Sequence, residues 1–141
     1  MIETNIKHVA GVDDYGYGLT WSIKDVDNYY AFEISANGYY RISKTIEGEW
    51  SAIRDWTENS LINTYMSNKL AVQKDGDQLK FFLNDSYLDQ IPFVPFIDYG
   101  VGYVIWRDQT IEVDDLRVRG TYYLDYDELL DEMIDEMFGD E

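Results

Sequence analysis

No cysteine occurs in the 141 residues, which excludes disulfides, thiol nucleophiles and thiolate metal sites. Histidine is almost as scarce. His8 stands alone, so neither a Ser–His–Asp arrangement nor a His pair for a metal can be assembled, and a surface position on a strand is expected for it. Basic residues are few, 11 Lys and Arg against 28 Asp and Glu, for a net charge of -17. Such a chain repels phosphate backbones and anionic membrane surfaces. No apolar run approaches the roughly 18 residues of a membrane span. The opening Met-Ile-Glu-Thr-Asn has no basic stretch leading into an apolar one, so no secretory signal peptide is expected in this chain, and the compartment stays unassigned.

What the chain has in quantity is aromatic side chains, at 16% of all residues with 13 Tyr and 4 Trp, a bias that suits pleated surfaces. The richest stretch is Asn28–Lys44, where two β-prone runs flank Ala36-Asn37-Gly38. Asn-Gly is a strong hairpin signal because a tight two-residue turn needs positive φ at both positions. Tyr30, Phe32 and Ile34 share one face of the first run, opposite Tyr29, Ala31, Glu33 and Ser35. In the second run Tyr40 and Ile42 oppose Tyr39, Arg41 and Ser43. Similar runs start at Asn5, Tyr17, Trp50, Lys69, Leu79, Tyr87, Gly100 and Ile111, with turn residues between most of them and a polar loop over 57–68. About ten strands at near-regular spacing predict one all-β domain, an antiparallel sandwich of jelly-roll type, over residues 1–123.

Residues 124–141 change period. Tyr126, Leu129, Leu130, Met133, Ile134, Met137 and Phe138 recur at i, i+3, i+4, i+7, the pattern of an amphipathic helix. Nine acids and no basic residue occupy 125–141, leaving 19 acids and 11 basic residues for the other 124. Such a helix needs a surface to lie on. It could cover its own sandwich, or dock into another protein; the unbroken acidity favours a protein partner with a basic or apolar groove.

Several motifs carry a family resemblance: Tyr17-Gly-Leu-Thr-Trp21, Asp27–Ser35, Asn37–Lys44, Asn68–Val72, Leu79–Asp85, Gly100-Val-Gly102 and Val113–Val118. Over residues 5–120 their order resembles the concanavalin A-like jelly-roll superfamily. The likeness is greatest to LamG-like sandwiches related to the 3-keto-disaccharide hydrolase group of bacterial domains. That resemblance implies a strand ahead of Asn5 that the sequence does not supply, and hence an open sheet edge or a substitute segment. It also implies a possible structural calcium, for which the acid-bearing turns Asp13-Asp14, Asp25/Asp27 and Asp75/Asp77 offer oxygen ligands; no other cofactor is expected.

Glycoside cleavage, the enzymatic activity the superfamily brings to mind, needs two carboxylates across one bond. The laminarinase-type Glu-x-Asp-x-x-Glu run is missing, and Glu112-Val-Asp-Asp lacks its last acid. A non-catalytic recognition module is therefore expected, binding a protein partner in a larger assembly through its acidic helix. The alternative is a carbohydrate-binding or glycoside-processing domain. For a ligand, Glu33, Tyr39 and Arg41 with Tyr29 beside them could bind a sugar, charges to hydroxyls and rings to rings. Trp106 is a further candidate, while Trp50 and Trp56 read more readily as packing.

Overall fold

The computed structural model describes residues 1–120. The expected helix, with all seven residues of its apolar stripe, lies outside them. Ten antiparallel strands form two five-stranded sheets. The first sheet runs β10 (Gln109–Val118), β1 (Ile2–Gly11), β6 (Ser67–Asp75), β7 (Gln78–Leu83), β8 (Ser86–Pro92). The second runs β5 (Glu49–Glu58), β4 (Tyr39–Ile46), β3 (Asn28–Ser35), β2 (Gly16–Asp25), β9 (Gly100–Ile105). The domain is thus a β-sandwich, as period-2 alternation requires when one face of every strand must be hidden.

The hidden face is aromatic at its centre. Trp21 and Phe32 from the second sheet meet Phe81 from the first, with ring centroids 5.6 and 5.2 Å away. Leu19, Ile34, Ile42, Ile6, Leu70 and Leu83 complete it without solvent exposure. Burying one such side chain contributes about 2–3 kcal/mol. Polar staples join the layers near both long edges. Thr4 and Tyr103 share a 2.6 Å hydroxyl contact between β1 and β9. On the other side Asp89 of β8 accepts from Arg54 of β5 at 2.7 and 3.2 Å and from the Tyr40 hydroxyl of β4 at 3.0 Å.

Four details depart from the sequence reading. The Ala36-Asn37-Gly38 connection is a three-residue loop, not a two-residue turn. Only Gly38 takes positive φ, at 94°, and the Ser35 hydroxyl, bonded to the Asn37 side chain, closes the loop. The two-residue turns with paired positive φ are Glu47-Gly48 and Asn84-Asp85. Second, β1 begins at Ile2 and lies between β6 and β10, so β10, and not β1, is the outer strand at that side of the sheet. Third, β5 continues to Glu58 and shortens the loop to 59–66. That loop is tied down by buried Asn68, which exchanges hydrogen bonds with the Asn63 backbone at 2.7 and 2.8 Å. Fourth, His8 is buried, 1% exposed. It follows Ile2, Thr4 and Ile6 on the inward register, shares a 3.0 Å hydrogen bond through Nε2 with the Val12 carbonyl, and packs on Tyr17 and Tyr65. A lone histidine on an otherwise mixed strand gave no sign of which register it shared.

Candidate functional site

The outer face of the second sheet should, by alternation, be a solvated surface. Glu33 lies there opposite Arg41 across the β3–β4 hairpin, where a cross-strand ion pair normally meets water. Instead Glu33 is 0% exposed. Two features of the sequence permit this. On β2, Gly16 and Gly18 pair with Ser35 and Glu33 and leave no side chain beneath the carboxylate. A Cβ at Gly16 would stand 2.5 Å from Glu33 Oε1 and 3.0 Å from the Trp56 ring. The second feature is a cover of large rings from β5 and from the end of β9. Arg41 Cζ lies 4.3 Å from the Trp56 ring centre and 4.9 Å from that of Trp50, a cation–π arrangement on two rings. Trp106, just past β9, is anchored by its amide to the Gly16 carbonyl at 3.0 Å.

The electrostatics of the pair are lopsided. Arg41 donates from Nε and Nη2, at 3.1 and 2.9 Å, to the same oxygen, Oε2. Oε1 is buried and has no partner of hydrogen-bonding geometry. Burial pushes the Glu33 carboxyl above the usual range; the Arg41 charge and its hydrogen bonds, followed by a hydrogen bond from the Trp106 indole too poorly aligned to satisfy Oε1 fully, recover only part of the shift. A buried acceptor left bare costs on the order of 1–3 kcal/mol. The site therefore combines one poorly satisfied acceptor, a guanidinium within 4.9 Å of two indole ring centres, and three indoles, of which Trp50 and Trp106 are 44% and 38% exposed. Such a set suits a polyhydroxylated ligand, with hydroxyls donating to the carboxylate and accepting from the guanidinium and a C–H face on an indole.

Of the residues singled out from sequence, Glu33, Arg41 and Trp106 come together. Tyr39 shares the face two residues along β4, where its amide donates to the Ser35 hydroxyl at 3.2 Å. Tyr29 opposes Thr45, four residues and roughly 13 Å along the strand from Glu33. Trp50 and Trp56, read as packing, are part of the site. Their approach to Arg41 depends on register shifts between β4 and β5 that no sequence pattern announces. The glycines at Gly16 and Gly18 were the legible signal: alternate glycines in one strand leave one face without side chains.

The acid-bearing turns are occupied otherwise. Asp25 accepts from the Asp27 amide at 2.9 Å and from the Asn28 side chain at 3.0 Å, an Asx-turn, and Asp75 pairs with Lys80 at 2.7 Å. Among the described residues, no three acidic or histidine side chains converge as a metal site would require.

No family model matches the chain, and no curated protein does. Solved structures do match. A carbohydrate-binding module, CBM66, from Bacillus subtilis superposes with a TM-score of 0.68 at 21% identity, covering 82% of this chain and 71% of that one. Galectin LEC-6 of Caenorhabditis elegans gives 0.53 at 14% identity, covering 81% and 73%. Sheep galectin-11, solved with glycerol, gives 0.52 at 11%, covering 79% and 88%. The fold is a jelly-roll β-sandwich. At these identities the likeness establishes the architecture of the sandwich and leaves function to the site.

Proposed function

We propose that this jelly roll is a non-catalytic carbohydrate-binding module whose saccharide lies on the outer face of the second sheet, across Trp50, Trp56, Arg41, Glu33 and Trp106. The observation that carries the reading is the Glu33–Arg41 pair. It is buried under indoles on a face that alternation assigns to solvent, and one carboxylate oxygen lacks a well-formed hydrogen bond. Architecture agrees, since jelly rolls described as a carbohydrate-binding module and as galectins share it. Bond cleavage is a poor fit, because the site holds one carboxylate tied to an arginine where hydrolysis needs two. The protein-partner reading of the acidic segment draws on residues outside the described structure and gains no support from this face.

The test is a panel of neutral oligosaccharides, screened on an array and followed by titration with tryptophan fluorescence. Saturable binding that Arg41→Ala and Glu33→Gln each weaken strongly is the expected result. Binding by no saccharide, or binding indifferent to both substitutions, would refute the assignment.

A further inference from the structure

A second unusual place lies at one end of the sandwich, away from the outer face just described. The inward register of β4 runs Tyr40, Ile42, Lys44, and that of β6 runs Leu70, Val72, Lys74. Two core-facing positions at the mouth of the sandwich are thus lysines. Neither has a carboxylate within ion-pair distance among the described residues. Lys44 lines an apolar cavity of about 180 Å³ with Trp21, Tyr30, Ile53, Leu79 and Ile91, and Lys74 Nζ sits 4.5 Å from the Phe93 ring centre. Val94 and Phe96 form an exposed apolar lip, at 55% and 38%. A mouth of this kind fits a partner that is apolar on one side and anionic on the other.

The register shows where this chain itself leads. Ile2 opposes Val118 on β10 and Val72 on β6. Gly120 therefore stands level with Lys74, which opposes Leu79, which in turn opposes Ile91. The chain leaves β10 at the end where the cavity opens. From β10 to β7 is three strand spacings, about 14 Å, and the five residues 121–125 reach up to about 17 Å when extended. The segment that follows carries an apolar series at helical spacing, from Tyr126 to Phe138, and nine acids without one basic residue. Lys44 and Lys74 are two cations within that reach, beside turns that carry Asp25, Asp27, Asp75 and Asp77.

We infer that residues 125–141 dock on their own sandwich, their apolar side chains over the mouth between Trp21, Leu79 and Phe96 and their acids beside Lys44 and Lys74. The inference is independent of the saccharide site. It is tested in the full chain, which has no cysteine to compete, by placing a nitroxide on Glu136→Cys and recording broadening of the Trp21 indole N–H and the Leu79 and Ile91 methyl signals. Broadening is expected within one chain, with most of it lost in Lys44→Glu/Lys74→Glu and at high salt, while saccharide affinity is unchanged. A mixture of isotope-labelled chains without nitroxide and unlabelled chains with it separates the sources: broadening there would assign the mouth to a second copy and overturn the inference. Absence of broadening, or broadening indifferent to both charge reversal and salt, would overturn it as well; the salt arm stands should the double variant fold poorly.

Discussion

Two arginine–carboxylate clamps hold this sandwich, and they are built to opposite standards. Arg54 grips both oxygens of Asp89, the Tyr40 hydroxyl adds a third bond and the Gln90 amide a fourth. Burial alone pushes Asp89 up, but these partners together outweigh it and bring the carboxyl below its ordinary value. Arg41 grips one oxygen of Glu33 and leaves the other bare, and burial carries that carboxyl upward. The first clamp is a complete staple between sheets. The second sits on one sheet, faces outward, and leaves one oxygen without a well-formed hydrogen bond. Under the proposed function, satisfaction, more than the presence of an ion pair, separates the group kept for architecture from the one kept for a ligand.

The sharpest break of this comparison is Arg41→Ala. It leaves Glu33 buried without its cation, which should cost about 3 kcal/mol in urea unfolding and weaken saccharide binding about 100-fold by titration. Replacing both partners by apolar residues, Glu33→Met with Arg41→Met, should recover the stability, since a buried pair is worth little against well-packed apolar side chains. Binding should stay lost. Recovery of stability and binding together would mean that the rings alone make the site.

How far these contrasts could be read in advance depended on the range of the interaction. Alternation within each strand placed Trp21, Phe32 and Ile34 inside and Glu33 on the same face as Arg41, because the apolar set of a strand fixes which face it buries even where the turn is misread. Burial of Glu33 was not legible, since it comes from Trp56 and Trp106, on strands distant in sequence, and from a bulged β4–β5 ladder. His8 went astray for the same reason: its neighbours Tyr17 and Tyr65 arrive from another strand and a loop. The Asp89 clamp was invisible too, as it joins edge strands of different sheets.

A smaller effect comes from Gly16→Ala. The new methyl would meet Oε1 at 2.5 Å and the Trp56 ring at 3.0 Å, so the carboxylate and its cover must shift. Gly16 does not take positive φ, and the cost is steric: about 1–2 kcal/mol of stability and roughly tenfold in saccharide affinity. Arg54→Ala should cost only about 1 kcal/mol, because Arg54 is 46% exposed, and should not alter binding. A change in affinity there would show that the two clamps are coupled through β4.

Proton linkage distinguishes the clamps without any change of shape. The Glu33 carboxyl is raised in the fold, so its contribution to stability is fully present below the unfolded value and is lost as pH rises through the folded one. Asp89 is lowered, so its contribution is present above the unfolded value and is lost as pH falls through the folded one. Urea unfolding from about pH 3 to about pH 7 should therefore fall less steeply toward acid in Asp89→Asn and less steeply toward neutrality in Glu33→Gln. A saccharide hydroxyl donates more strongly to the ionised carboxylate than to the neutral carboxyl, so affinity should rise with pH through the raised Glu33 value, by at most about tenfold per pH unit, with up to about one proton released. Asp89→Asn should keep that slope and Glu33→Gln should erase it. A flat profile in the unmodified protein, or a slope that survives Glu33→Gln, would mean that the ligand never engages the bare oxygen.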